Sequence, residues 1–314
     1  MLNRLCKQIA ILCLAGTTFS VQAKLVEEVI RVPVKVTNLY GKEVAQEMVV
    51  TLFHDDRVAA PFPVVIINHG RSAEAAERLS LGRAKYSVAS SWFARLGFLV
   101  AVPTRVGYGE TGGDDVEDSG DCDRKRYAPG YDAAVTETLT VLAELRKRPN
   151  TLPDRTVVVG QSFGGATAVA VAARNPAGVQ VAINFSGGGG GNPKTRPANP
   201  CGQFQLKALF KTYGATARVP MLWVYTENDK YFGPQLPREW FEVFTAEGGK
   251  AQLVQFPPHG EDGHSLFTRF PGVWQPKVID FLRRNGYPEL KLLPKEKDVE
   301  KDLTAPRPEA ESTP

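Results

Sequence analysis

The chain contains six short, mainly apolar runs, and longer segments with apolar residues at helical spacing separate most of them. Such runs are typical of strands buried on both faces, and the longer segments are typical of amphipathic helices. The predicted strands are residues 64–67, 98–102, 157–159, 179–185, 219–225 and 251–256. The predicted helices are residues 87–96, 132–148, 164–173, 237–247 and 273–284. This alternation predicts an α/β protein, with a mostly parallel twisted sheet and helices on both faces.

The segment between residues 24 and 55 has a different pattern. Apolar and polar residues alternate there in two runs, and Gly41 lies between them. Alternation with a period of two predicts strands with one buried face, and two adjacent runs predict an antiparallel pair. We therefore expect an antiparallel edge at the N-terminal side of the sheet.

Residues 1–23 have the three parts of a secretory signal peptide. Arg4 and Lys7 give a positive start, residues 9–15 form a short apolar run, and residues 21–23 resemble a cleavage site. The apolar run is shorter than the roughly 20 residues that span a bilayer. We therefore expect a periplasmic or secreted protein with no integral membrane segment in its mature chain.

The composition is that of a globular protein, with 314 residues, 43% hydrophobic residues, 23% charged residues and a formal net charge of +4. Because the basic residues form no block, we expect no nucleic-acid partner. The end of the chain is rich in Pro, Lys and Glu, which is typical of disorder. The predicted organisation is a signal peptide (residues 1–23), a single domain (24–290) and a disordered tail (291–314), and the oligomeric state stays open.

The most informative motif is Gly160-Gln161-Ser162-Phe163-Gly164, which follows three consecutive valines. A strand that leads through G-x-S-x-G into a helix is typical of a nucleophile elbow. In that turn the backbone is strained, the glycines allow close packing, and the serine hydroxyl is lifted clear of the sheet. The first N–H groups of the helix have no intrahelical acceptor and face any negative charge that develops. Ser162 is therefore the candidate nucleophile.

A serine nucleophile needs a base, and the base needs an acid that orients it. With this elbow, the acid and the base follow the serine along the chain in that order. Asp229 lies just beyond a predicted strand and before a predicted helix, where its carboxylate can turn into a cleft. Asp229 is the candidate acid, and Glu227 and Asp262 are the alternatives.

The loop after the last predicted strand contains two histidines, His259 and His264. His264 follows Gly263 and precedes Ser265-Leu266-Phe267, which is typical of a loop that enters a helix. We take His264 as the candidate base, with His259 as the alternative.

A second motif, His69-Gly70-Arg71, follows the predicted strand at residues 64–67. Acyl-transfer sites stabilise the oxyanion with one N–H after the nucleophile and one from the loop after an earlier strand. Phe163 and Arg71 are the candidate donors of these two N–H groups. Gly70 allows the backbone to approach the substrate oxygen, and His69 is expected to be structural.

Two cysteines, Cys122 and Cys201, remain after removal of the predicted signal peptide. In an oxidising compartment, an even pair favours a disulfide between them. Cys201 follows a glycine-rich segment, residues 186–191, which lacks the frame of a phosphate-binding loop. We interpret that segment as a flexible wall of the site.

Four segments of the sequence resemble those of a known family. The segments NHGR, GQSFGG, TENDKYF and DGHSLF, in that order, are similar to those of the α/β-hydrolase superfamily, and its dienelactone hydrolase-like and prolyl-oligopeptidase-like branches are the most similar. The resemblance spans residues 63–284 and implies an α/β-hydrolase fold and a serine hydrolase that needs no cofactor. True dienelactone hydrolases carry a cysteine in the elbow, so Ser162 favours an esterase-like activity.

The expected function is hydrolysis of a small-molecule carboxylic ester by Ser162, His264 and Asp229. A peptidase or amidase with the same triad is one alternative, and a binding protein with this fold but no activity is another. A metallohydrolase is disfavoured, since the chain has four histidines and no H-E-x-x-H motif. We expect no metal and no cofactor.

Overall fold

The computed structural model describes residues 24–295, and the predicted signal peptide and most of the predicted tail lie outside the described residues. Eight strands form one sheet. Their bounds are β1 Leu25–Thr37, β2 Glu43–Asp55, β3 Phe62–Asn68, β4 Leu99–Thr104, β5 Thr151–Gln161, β6 Val179–Phe185, β7 Met221–Thr226 and β8 Ala251–Phe256. Each predicted strand is present, although β5 begins six residues before its predicted start at residue 157.

The strand order is β1-β2-β4-β3-β5-β6-β7-β8. Strand β2 pairs antiparallel with both β1 and β4, and the pairs from β4 through β8 are parallel. The mostly parallel sheet and its antiparallel N-terminal edge are therefore confirmed. Since the C-terminal ends of parallel strands meet at one edge, the loops after β3, β5, β7 and β8 converge there.

The helices in the described part of the chain are α1 Ala75–Leu79, α2 Ser87–Arg95, α3 Tyr127–Leu145, α4 Phe163–Ala173, α5 Gln203–Thr216, α6 Gln235–Ala246, α7 Leu266–Arg269 and α8 Pro271–Arg284. Among the described residues, no helix is long and apolar enough to cross a bilayer. Helix α3 begins five residues before its predicted start at residue 132, because Pro129 lies in its first turn, where the missing N–H costs nothing.

Helices α1 and α5 were not predicted, whereas α7 begins at Leu266, where the sequence predicted a loop that enters a helix. The signal for α5 was present in the sequence, since Leu206, Phe210 and Tyr213 are buried at spacings of four and three residues. Helix α1 has only five residues, which is too short for apolar periodicity to show.

Two hydrophobic clusters cover the two faces of the sheet. In β5, Val158 packs into one cluster, and its neighbours Val157 and Val159 pack into the other. Successive side chains of a strand point to opposite faces, so a strand buried on both faces must be apolar at every position. Trp223 and Trp240 are buried in the first cluster, whereas Trp92 and Trp274 are in the second.

Candidate active site

Ser162 occupies a strained turn between β5 and α4. Its backbone angles are φ 57° and ψ −123°, and a positive φ is unfavourable for a residue with a side chain. A Cβ at Gly160 would lie 1.8 Å from the carbonyl oxygen of Gly164, and one at Gly164 would lie 2.1 Å from that of Asn68. Only glycine fits at these positions, so α4 can start directly against the ends of β3 and β5.

Asp229 and His264 form a buried hydrogen bond: Nδ1 of His264 lies 2.9 Å from Oδ2 of Asp229. The other carboxylate oxygen, Oδ1, accepts the backbone N–H groups of Tyr231 and Phe232 at 2.8 and 3.1 Å. The carboxylate is therefore held in place by its own loop and faces the imidazole. This arrangement leaves Nε2 of His264 directed away from Asp229.

The alternative acids and base lie differently. The Glu227 side chain is exposed, and the carboxylate of Asp262 accepts the backbone N–H groups of His264 and Lys230 at 3.0 and 2.9 Å. His259 places its Nδ1 against the carbonyl oxygen of Pro257, 2.7 Å away. Of the candidates, Asp229 and His264 are the two whose side chains pair with each other.

Ser162 and His264 line the same open cavity of about 510 Å³. Gly70 also lines it, and a Cβ there would lie 3.2 Å from Cβ of Ser162. The absence of a side chain at Gly70 thus lets the loop after β3 pass directly beside the serine. The structure brings these three residues, predicted from separate motifs, to one cavity.

The backbone N–H groups of Phe163 and Arg71 donate no hydrogen bond to any described residue. For Phe163 the reason is local, because α4 begins there and the first N–H groups of a helix have no intrahelical acceptor. For Arg71 the reason lies in the loop after β3, where Nδ1 of His69 is 2.7 Å from the carbonyl oxygen of Gly70. That contact orients the peptide group between Gly70 and Arg71, which carries the Arg71 N–H.

Arg105 is a fully buried cation that supports this loop from below. Its backbone N–H donates to Nε2 of His69 at 3.1 Å, and its guanidinium donates to the His69 carbonyl oxygen at 2.8 Å. The same guanidinium pairs with Glu117, which is also fully buried. Burial and the nearby Arg105 charge hold the pKa of His69 well below its usual value, so the ring stays neutral.

The Arg71 side chain turns away from the serine into an ion-pair network. It makes a bidentate pair with Asp115, with both N–O distances 2.7 Å, and Arg78 binds the same carboxylate at 2.8 Å. Burial raises the pKa of Asp115, but the hydrogen bonds and charges of the two arginines outweigh burial and hold that pKa below its usual value. The network anchors the segment that carries the Arg71 N–H.

Tyr86 and Gln161 were not identified from the sequence, yet they join three parts of the site. The Gly70 N–H donates to the Tyr86 hydroxyl at 3.2 Å, and this hydroxyl donates to Oε1 of Gln161 at 3.0 Å. Nε2 of Gln161 donates to the carbonyl oxygen of His264 at 3.0 Å. Gln161 occupies a variable position of the elbow motif, so no sequence signal could have found it.

A second cavity of about 340 Å³ is lined by Ser162 and Phe163. Its wall includes the glycines at residues 188–191, as expected of this segment, but they are closely packed, since a Cβ at any of them would lie within 3.0 Å of another residue. Cys201, in the same wall, forms a disulfide with Cys122. The disulfide thus joins the long loop before α3 to the wall of this cavity.

Three or more metal-ligating side chains do not come together anywhere in the part of the chain that the structure describes. Ser162 and the residues around it supply a hydroxyl, an imidazole, a carboxylate and free backbone N–H groups. This combination is suited to nucleophilic attack on a carbonyl carbon and to stabilisation of the resulting oxyanion.

The eight-stranded sheet with a serine elbow after β5 defines an α/β-hydrolase, and similar solved structures share this fold. An esterase from Pyrococcus furiosus has a TM-score of 0.52 at 13% identity, over 81% of this chain and 90% of its own. An acetyl xylan esterase from Paenibacillus sp. R4 has a TM-score of 0.55 at 15% identity, and the match covers 84% of this chain and 88% of the esterase chain. The acylaminoacyl peptidase of Pyrococcus horikoshii has a TM-score of 0.55 at 11% identity, and the match covers 88% of this chain and 44% of the peptidase chain.

Residues 53–272 match the dienelactone hydrolase family, and the chain belongs to that family. Membership of this family makes the chain a hydrolase. No curated protein sequence matches the chain.

Proposed function

We propose that this protein hydrolyses small-molecule carboxylic esters by acyl transfer through Ser162, His264 and Asp229. The observation that carries the proposal is the buried His264–Asp229 hydrogen bond of 2.9 Å at the cavity where strained Ser162 is exposed to substrate. A hydroxyl is a weak nucleophile, and an imidazole oriented by a carboxylate is the group that activates it.

In the first step, Nε2 of His264 takes the proton of Ser162 as the serine oxygen attacks the ester carbonyl carbon. The Asp229 carboxylate holds the Nδ1 proton and stabilises the imidazolium. The imidazolium then gives its proton to the alcohol oxygen as the bond between carbonyl carbon and alcohol oxygen breaks. The alcohol leaves, and the acyl group remains on Ser162.

In the second step, water replaces the alcohol. His264 takes a proton from water as the water oxygen attacks the acyl carbon, and it returns that proton to the Ser162 oxygen as the acid leaves. Both tetrahedral intermediates carry a negative oxygen, for which the free N–H groups of Phe163 and Arg71 are the proposed donors. These steps use side chains, backbone and water alone.

The periplasm or the extracellular medium is the proposed location. The disulfide between Cys122 and Cys201 supports it, because disulfides persist in oxidising compartments. The predicted signal peptide at residues 1–23 agrees with it.

Hydrolysis of p-nitrophenyl esters of increasing acyl length tests the proposal. We expect turnover by the mature chain (residues 24–314) and labelling of Ser162 by a fluorophosphonate. Ser162→Ala and His264→Ala should each lower kcat by at least about 10³-fold. His259→Ala is the matched control, because its ring contacts the carbonyl oxygen of Pro257 and not Asp229.

The competing functions predict other results. Turnover of p-nitroanilides without turnover of esters would assign the same triad to an amidase or peptidase. A wild-type protein that neither hydrolyses esters or amides nor reacts with the fluorophosphonate would identify a binding protein. If His259→Ala is inactive and His264→Ala is not, the base is assigned wrongly.

A further inference from the structure

The ring of Tyr231 lies flat against the imidazole of His264. The ring centroids are 3.9 Å apart and the planes differ by 22°. Tyr231 follows Asp229 by two residues, and its backbone N–H donates to Oδ1 of Asp229 at 2.8 Å. One short segment after β7 therefore supplies both the carboxylate and the ring that contact His264.

These contacts restrain the imidazole in different directions. The hydrogen bond to Asp229 lies in the plane of the imidazole and fixes where Nδ1 points. The hydrogen bond alone would let the imidazole rotate about the axis that joins Nδ1 to Asp229, and the stacked Tyr231 ring opposes this rotation. Phe232 contacts the same imidazole edge-on, with centroids 5.4 Å apart and planes at 70°.

The Tyr231 side chain is itself held by close packing. A Cβ at Gly191 would lie 2.8 Å from Cδ1 of Tyr231, so glycine is required where the wall of the cavity meets this ring. The Tyr231 hydroxyl makes no hydrogen bond to any described residue. The aromatic ring, and not the hydroxyl, is thus the part of Tyr231 that contacts the site.

The charges around this pair favour a neutral tyrosine beside a cation. Burial, followed by the carboxylates of Asp262, Asp229 and Glu77, raises the pKa of Tyr231 above its usual value, so the hydroxyl keeps its proton. The face of a neutral aromatic ring carries negative potential and attracts a cation within about 6 Å of its centroid. The imidazolium of His264 that forms during acyl transfer would be such a cation.

We propose that Tyr231 is a positioning residue, whose ring keeps the imidazole of His264 in line with Ser162 and stabilises the imidazolium that forms during acyl transfer. The inference rests on the proposed function, since it assigns His264 as the base. An attraction that is present only when His264 is charged acts on the transition state and not on the bound ester. Loss of the ring should therefore lower kcat and leave KM almost unchanged.

Tyr231→Phe and Tyr231→Leu form the matched pair that tests this role. Phe keeps the aromatic face and removes the hydroxyl, whereas Leu keeps an apolar side chain and removes the aromatic face. We measure kcat and KM with p-nitrophenyl acetate and the rate of fluorophosphonate labelling. We expect Phe to stay within about twofold of wild type, and Leu to lose about 10-fold in kcat and in labelling rate with KM within about threefold.

A readout that does not need turnover accompanies the kinetics. Stacking displaces the ¹H resonances of the His264 ring upfield, and we expect the displacement to persist in Tyr231→Phe and disappear in Tyr231→Leu. Thermal melting establishes that each variant is folded. If Tyr231→Leu unfolds below the assay temperature, Tyr231→Met replaces it, because Met is also apolar and non-aromatic.

Each result for the two Tyr231 variants leads to a different conclusion. A wild-type kcat in both the Phe and the Leu variant would overturn the role of the ring, and equal losses of kcat in both would assign the role to the hydroxyl. A large rise in KM with unchanged kcat would make Tyr231 a substrate contact only. An active wild type with any of these results refutes this inference alone, whereas a wild type that neither turns over nor labels refutes the proposed function and this inference together.

Discussion

Nδ1 of His69 lies 2.7 Å from the carbonyl oxygen of Gly70, which is the other end of the peptide group that carries the Arg71 N–H. Nε2 of the same ring accepts the Arg105 N–H at 3.1 Å, so the proton of the neutral imidazole is on Nδ1 and donates to Gly70. His69 therefore sets the direction of the peptide group that carries one proposed oxyanion donor.

We predict that His69→Ala lowers kcat for esters by about 10- to 100-fold and changes KM little. Removal of a whole oxyanion donor costs about 10²- to 10³-fold, and here the donor is misdirected and not deleted. Steady-state kinetics with p-nitrophenyl acetate measures the effect. His259→Ala serves as control, since His259 makes the same type of contact to a carbonyl oxygen outside this loop. A folded His69→Ala variant with wild-type kcat would contradict the prediction.

The backbone strain at Ser162 leads to a second prediction. Ser162→Gly and Ser162→Ala should both be inactive, but the glycine variant should be the more stable by about 1 kcal/mol, because glycine adopts φ 57° without a side-chain penalty. Urea denaturation of the two variants measures the difference. This order is the reverse of that at an ordinary position, where alanine is the more stable residue. An alanine variant at least as stable as the glycine variant would show that the turn is not strained.

Glu137 is a buried acid on α3, and its ionisation predicts a pH dependence of stability. Its Oε1 accepts the Val106 N–H at 2.6 Å, whereas Oε2 is buried without a hydrogen-bond partner in the described residues. Burial, and then the charge of Glu117, raises its pKa from 4.5 to about 8. Between pH 4.5 and about pH 8, the folded protein thus keeps the Glu137 proton, which the unfolded chain has released.

The stability that this proton contributes is complete below pH 4.5 and is lost as the pH rises through about 8. Glu137→Gln cannot ionise, so its free energy of unfolding relative to wild type should rise by about 2–4 kcal/mol between about pH 5 and about pH 9. Urea denaturation at several pH values measures this difference. A difference that stays constant over the range would mean that Glu137 ionises normally in the folded protein.

The disulfide between Cys122 and Cys201 closes a loop with a sequence separation of 79 residues. A cross-link of this length restricts the unfolded chain, and we predict that Cys122→Ala with Cys201→Ala lowers the free energy of unfolding by about 2–4 kcal/mol. Guanidinium denaturation with and without a reductant measures the effect. The reductant should destabilise the wild type and leave the double variant unchanged. Equal stability of the oxidised and reduced wild type would refute the prediction.

The sequence by itself determined the features that depend on neighbouring residues. A strand buried on both faces must be mainly apolar, so β3 to β7 were visible as runs, and the edge strand β8 was visible from its shorter apolar segments. The elbow was visible as well, because the glycines at 160 and 164 and the positive φ of Ser162 belong to a turn of five residues. The order of the strands in the sheet came from the structure, because it depends on pairings between distant segments.

Only the tertiary structure decided which polar residues meet. The sequence left three possible acids and two possible bases, and packing of the loop after β8 against that after β7 pairs His264 with Asp229, 35 residues apart. The contact of Tyr86 with Gln161 joins residues 75 apart, and Gln161 reaches His264 across 103 residues. Such contacts follow no period in the sequence, because they join loops that the sheet brings together at one edge.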